Sequence, residues 1–272
     1  MKHYLKVCAR ILRGKTPFSR VKVLVPYLGL LIRSIYFHKV QKKHDVNSSK
    51  VNFNLLGYQV ASFSYPQLIN LFEEIFAFNV YSFEASELPP FIIDCGSNIG
   101  VSILYFKAKY PDAKILAFEP DPETFELLDE NVRANNLNGV ELLNVALSDQ
   151  DSKVHLFAKP APGSLTMSLF KSEEKTETKS VIAKRLSGYI NSKVSLLKID
   201  VEGSEVRILK DLVECDKIKW IDQMIIEYHP AITGKPVGSL VKLLESVNFK
   251  CTLEVDAVHP GATEVIIRAM RS

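Results

Sequence analysis

Residues 91–100 read FIIDCGSNIG, and the fold turns on them. Phe91, Ile92 and Ile93 make a short apolar run of the kind that fits a strand buried on both faces. An acid, two glycines and an asparagine follow. Helical spacing then resumes over 99–110, with Ile99, Ile103 and Phe106 on one side. A tight turn needs one glycine. Two glycines four apart, Gly96 and Gly100, suggest backbone kept bare so that amides can approach a ligand at a helix N-terminus, where a negative group is favoured.

The same alternation continues outward. Strands are expected at 114–119, 140–147, 194–200 and 220–229, and helices at 121–136, 205–213 and 237–247. The runs KVHLFA and KSVIAK form an antiparallel addition, and two strands, 249–255 and 263–270, close the chain with no helix between them. Short buried strands alternating with helices predict an α/β open sheet, mostly parallel, with an antiparallel last strand. Ligands of such sheets sit at the carboxyl ends of the strands. The candidates there are Asp94, Glu119, Asp149, Asp200 with Glu202, and Glu227 with His229. The competing reading of each acid is a helix N-cap.

Glu119 ends the second strand, 19 residues after Gly100, where a carboxylate can accept both hydroxyls of a ribose. A dinucleotide site needs a third glycine that is missing, and no Walker lysine with its Ser/Thr partner is present. The pattern fits a nucleoside with a small charged tail and no pyrophosphate.

FIIDCGSNIG, ILAFEPDPETFELLDENVRANN, VELLNVALSDQ and LLKIDVEGSEVRIL together resemble, in order and spacing, the FkbM-type S-adenosylmethionine-dependent methyltransferases. The resemblance covers roughly residues 90–230, and KIDVEGSE is its distinguishing element. It implies a class I methyltransferase (Rossmann-like) sheet of seven strands and methyl transfer to hydroxyls of sugars, glycans, glycolipids or polyketides. By position it implies that Asp94, Gly96, Asn98 and Gly100 hold the methionine end of S-adenosylmethionine and Glu119 the ribose. Pro120 and Asp121 would shape the adenine side, Ser148 and Asp149 would face the adenine edge, and Asp200 and Glu202 would flank the methyl group. One departure stands at Leu186–Ser187, where the family often has Leu-Asp.

A sugar hydroxyl is a poor acid, so its methylation needs a base or a metal. His229 is the natural titrating base, and Asp200, Glu202 and Glu227 complete the catalytic set. Asp200 and Glu227 can alternatively share a divalent ion, a less favoured reading for want of an obvious third ligand. Lys198 reads as a charge partner within the acids. The segment 159–170 reads either as a substrate flap or as a plain loop. A non-catalytic nucleotide-binding scaffold of the same fold is the competing class, although it would not need acids at four strand ends. Within the enzyme class, a small natural-product acceptor competes with the glycan.

Residues 1–44 contain 11 Lys or Arg and no acid, whereas the other 228 residues hold 23 bases against all 31 acids, a net charge of −8. The leader sorts into two amphipathic stripes, Leu5, Cys8, Ile11 and Leu12, then Val21, Leu24, Leu28, Leu31 and Ile35. Its longest uncharged run, 23–32, falls short of the roughly 20 residues a spanning helix needs, and no signal-peptide cleavage pattern follows. Two readings stand. One is an in-plane anchor on an anionic membrane surface, with the protein cytoplasmic and peripheral at the inner face. The other is a helical arm docked on the body or on a second copy in a homodimer. Nucleic acid is not expected, since no RNA-binding signature is present. The domain reading is therefore a leader and hinge over 1–50, a capping segment over 51–89 and a catalytic domain over 90–272. Four scattered cysteines without CxxC spacing suggest reduced thiols.

Overall fold

The computed structural model describes residues 2–14, 17–40, 50–158, 168–169, 177–255 and 264–272. Helices α1 (Lys2–Arg13) and α2 (Arg20–Val40) precede a hairpin of β1 (Val51–Leu55) and β2 (Tyr58–Ser62). Its two-residue turn, Leu56 and Gly57, has φ of 53° and 99°, the left-handed geometry that matches strand twist. Helix α3 (Tyr65–Phe72) is capped by the Ser64 side chain, which accepts from the Gln67 amide, and runs on into a single π-helical stretch, Glu73–Ala77.

The body follows as β3 (Phe91–Cys95), α4 (Val101–Lys109), β4 (Lys114–Phe118), α5 (Pro122–Ala134), β5 (Val140–Leu143), β6 (Ala146–Ser148), β7 (Ser152–Ala158) and β8 (Glu177–Arg185). It continues as β9 (Leu196–Ile199), α6 (Glu205–Glu214), β10 (Gln223–Tyr228), α7 (Pro230–Thr233), α8 (Val237–Ser246), β11 (Phe249–Val255) and β12 (Val265–Arg271). Seven strands form one sheet in the order β11-β12-β10-β9-β3-β4-β5. Its central pairings are parallel, and β12 runs antiparallel to both β10 and β11. One face is covered by α4, α5 and the N-terminal segments, the other by α6 and α8. This is the class I methyltransferase, Rossmann-like arrangement.

The expected strand over 140–147 is two strands. Asn144 breaks it: its side-chain amide donates to the carbonyls of Glu119 at 2.8 Å and Pro120 at 3.1 Å. The chain then leaves the main sheet, and β6 joins β7 and β8 in a separate three-stranded sheet. The departure at Leu186–Ser187 has its own structural use. The Ser187 amide and hydroxyl both donate to buried Asp211, at 2.8 and 2.7 Å, beside an Arg185–Asp211 ion pair.

The leader is docked on the body. Val7, Ile11, Val23, Tyr27 and Leu30 are fully buried in the core shared with α3 and α4. Buried Glu73 accepts from the Tyr27 hydroxyl at 2.5 Å and pairs with His3 Nε2 at 2.6 Å. Helix α2 buries the expected stripe only along one edge. Leu24 and Leu31 pack partly against the core and Val21, Leu28 and Ile35 stay exposed, while the fully buried residues are Val23, Tyr27 and Leu30, about 100° further round the helix. Most of the hinge expected at 41–50 lies outside the described residues.

Candidate active site

A cavity of about 440 Å³ opens where the carboxyl ends of β3, β4, β9 and β10 meet the small sheet and the capping segment. Its first wall is the turn after β3. Gly96 has φ +84°, and a Cβ there would lie 1.7 Å from the Asp200 carbonyl oxygen. Gly100 has φ +89°, and its Cβ would meet Leu128 at 2.7 Å. The glycines are thus bare so that protein can approach protein. The expectation of free amides is corrected in the same way. The Gly96 and Ser97 amides donate to the Phe118 carbonyl, Asn98 donates to Glu119, and Ile99 donates to the Asn98 side chain.

Glu119 lines the cavity at the end of β4 and is 6% exposed. Its two oxygens accept the Asn98 amide at 3.0 Å and the Asp121 amide at 2.9 Å. Burial pushes its carboxyl up to about 7. Beside it stand Phe118, Pro120, Val145, Ala146 and Leu147, an apolar slot next to a carboxylate.

The opposite end gathers the acids. Asp200, Glu202, Glu227 and His229 all line the cavity, as do Lys198, Tyr81 and Glu74. His229 Nδ1 lies 2.9 Å from Glu205 Oε1, which fixes the ring, and Nε2 lies 3.8 Å from Glu202 and 3.9 Å from Glu227. Burial alone would lower the imidazole. The Glu205 hydrogen bond and the charges of Glu202, Glu205 and Asp200 outweigh it and hold His229 at about 9. At neutral pH His229 is therefore a cation, not the ready base its residue type suggested. Glu227 moves well above the usual carboxylate range through burial, with Asp200 and Glu74 adding to the effect.

Lys198 is buried. It donates to the Gly96 carbonyl at 2.6 Å, pairs with Asp94 at 3.1 Å and lies 3.6 Å from Asp200. Those acids keep it protonated against the effect of burial. Asp200, Glu227 and His229 each offer a ligand atom, all within 4.8 Å of one another, a set that could also hold a metal ion. His229 is the third ligand that sequence spacing did not suggest.

Five expected site residues stand behind the cavity wall rather than on it. Asp94 is fully buried under the turn, where it accepts from Ser102 at 2.5 Å and anchors Lys198. Gly100 packs on Leu128. Asp121 caps α5 through Thr124 and pairs with Lys179 at 2.6 Å. The Ser148 hydroxyl donates to Asp149 at 3.1 Å, and neither residue lines the cavity. The wall there is Val145–Leu147, because β6 turns its polar end away.

Sequence reasoning missed Glu74, Tyr81, Ser204 and Glu205. The Tyr81 hydroxyl lies 2.9 Å from Glu74 and 3.3 Å from Asp200. The Ser204 hydroxyl is buried in the cavity lining and has no hydrogen-bond partner among the described residues. Only Glu205 left a local signal, an acid in the first turn of α6, and that signal does not distinguish a cap from a ring anchor. Of the expected flap, only Ser168 and Leu169 are described. Ser168 donates to the Glu202 carbonyl at 2.6 Å, and Leu169 lines the cavity.

The family model for the methyltransferase FkbM domain matches residues 94–251. "Methyltransferase 1" of Beauveria bassiana is 33% identical over 206 residues, covering 67% of this chain and 81% of that protein. "Hexuronic acid methyltransferase AglP" of Haloferax volcanii is 27% identical over 169 residues, covering 58% of this chain and 64% of that one. "31-O-demethyl-FK506 methyltransferase FkbM" of Streptomyces tacrolimicus is 27% identical over 243 residues, covering 77% of this chain and 92% of that one.

Proposed function

The chain belongs to the FkbM methyltransferase family, and from that premise we propose that it transfers a methyl group from S-adenosylmethionine to a hydroxyl of a sugar, glycan or glycolipid. The observation that carries this reading is a single cavity with a nucleoside-type end and an acid–base end.

The donor set fits S-adenosylmethionine. Glu119 suits a ribose diol, and Phe118, Ala146 and Leu147 suit a flat apolar ring. Asn98 and the unpartnered Ser204 hydroxyl suit a polar tail. The acids at the far end suit a cationic sulfonium. When bound, S-adenosylmethionine supplies an electrophilic methyl group.

The chain's own work is to align the acceptor hydroxyl and take its proton. His229 holds a proton at neutral pH, so the carboxylates beside its Nε2 are the acceptors. Glu227 takes the hydroxyl proton. It does so from its ionised form, which the His229 cation favours; its half-buried setting raises its proton affinity above that of an exposed carboxylate, which suits a general base once it is ionised. His229 balances the charge, and Asp200 and Glu202 hold the acceptor.

The test is incubation with labelled donor and fractionated glycan and lipid extracts, with calorimetry alongside. Glu227→Gln should lower kcat about 10²–10⁴-fold and keep donor binding. Full activity in that variant removes Glu227 as the base. Heat on adding NAD but none on adding S-adenosylmethionine sinks the class. A second acceptor class, a hydroxyl of a small natural product, is favoured by the name of the Streptomyces relative. Label that enters only the small-molecule fraction selects it. Loss of activity on chelation, restored by a divalent ion, selects a metal at Asp200, Glu227 and His229.

A further inference from the structure

Helix α2 carries two apolar stripes. Val23, Tyr27 and Leu30 are fully buried against the body. Val21, Val25, Leu28, Ile32, Ile35 and Tyr36 are 42–69% exposed. At about 100° per residue, the second set falls within an arc of roughly 100° centred opposite the first. A helix that needed only to dock would be polar on that side.

The charge beside this stripe is of one sign. Lys22 and Arg33 flank it on one side and Arg20 on the other, all exposed. On α1, Lys6, Arg10 and Arg13 are exposed as well, with Leu5 and Leu12. Residues 1–44 contain no acid, while the rest of the chain is net −8. A second copy would bring this same cationic surface against itself, and like charges at close range oppose pairing. An anionic lipid surface takes both features together. Apolar side chains enter the acyl boundary, and lysines and arginines meet headgroups. Among the described residues no helix is long and apolar enough to cross a membrane, so the fitting mode is in-plane.

We propose that the outward face of α2, with the basic residues around it, docks this protein on an anionic lipid bilayer. The docking follows from the surface alone. Its consequence for the acceptor rests on the methyltransferase reading. A cavity lined by Tyr4, Ser34, Ile35, Pro66 and Asn70 opens beside the stripe, and Asn70 also lines the methyl-transfer cavity. An acceptor carried on a lipid would reach the acids from the docked side without leaving the surface.

Deleting the leader is a poor test, because it would uncover the core around Tyr27 and Glu73. The test uses the full chain and the double variant Val25→Glu, Ile32→Glu, whose sites are 61% and 67% exposed. Both proteins are spun with phosphatidylcholine vesicles and with vesicles containing phosphatidylglycerol. Unchanged circular dichroism and unchanged heat on adding S-adenosylmethionine establish that the variant is folded. The full chain should pellet with the anionic vesicles at low salt, release as salt shortens the screening length from about 30 Å to a few Å, and ignore the neutral ones. The variant should bind at least tenfold more weakly. No sedimentation of the full chain, or equal sedimentation of the variant, overturns the proposal. A dimer in solution that the variant dissociates also overturns it and makes the stripe a subunit interface. Sedimentation has no methyl-transfer readout, so a chain that binds vesicles but methylates nothing refutes the function and leaves the docking.

Discussion

Removing the Glu119 carboxylate should separate its two duties. In the free protein its oxygens hold the amides of Asn98 and Asp121. Glu119→Ala leaves both donors without that partner, at about 1–3 kcal/mol each, so the melting temperature should fall. Donor affinity should fall by a further ~2 kcal/mol if the carboxylate also takes two ribose hydroxyls. Glu119→Gln keeps one acceptor oxygen and no charge, and so isolates ionisation. The sign follows from burial. The folded carboxyl sits at about 7 against an ordinary 4.5, so this group favours the folded state below 4.5 and that contribution is lost as pH rises through 7. The difference amounts to roughly 3 kcal/mol. Donor binding should run the opposite way, tightening as Glu119 ionises. Calorimetry and thermal melts from about pH 5.5 to 8.5 read both trends. Wild-type affinity in Glu119→Gln, flat across that range, would refute the assignment of Glu119 to the ribose.

His229 should titrate near 9 by proton NMR and fall toward its ordinary range in Glu205→Gln; a wild-type midpoint at or below about 6.5 would contradict the Glu205 ion pair. The stability that this pair contributes should be full below about 6.5 and disappear as pH rises through about 9. Gly96→Ala should unfold the domain or abolish donor binding, since its Cβ would overlap the Asp200 carbonyl; a folded variant with normal affinity would show that the turn can move. Asp211→Ala should cost about 1–3 kcal/mol in denaturant unfolding, because the buried Ser187 amide and hydroxyl lose their shared acceptor; an unchanged unfolding midpoint would mean that water replaces it.

The alternation of buried runs and helical spacings was legible because each strand is too short and too apolar to be anything else. The acids at strand ends were legible for the same reason: Asp200 and Glu227 follow apolar runs that fix where the strands stop. What was hidden depended on contacts distant in sequence. Nothing near Asn144 announces that its amide will turn the chain out of the sheet. Nothing local in Gly96 says that its missing side chain makes room for Asp200, 104 residues on. The α2 stripe was found by its period, but period cannot say how far round the helix the buried arc runs; Tyr27 decides that by stacking on Phe72 and donating to Glu73. The role of His229 depended on Glu205, which the sequence offers only as a residue at a helix start.

Glu73 and Glu74 are neighbours at the head of the π-helical stretch, and they face opposite ways. The first is tied to His3 and Tyr27 of the leader, the second to Tyr81 and through it to Asp200. One turn of backbone is thus the fulcrum between an outer surface and a reaction centre. Glu73 and Glu74 share one π-helical turn, so a rotation of that turn would move both carboxylates at once. Any preference for one rotation at the surface must reappear, by thermodynamic reciprocity, as the same factor at the centre. Two adjacent acids would then serve as a lever arm only a few ångströms long.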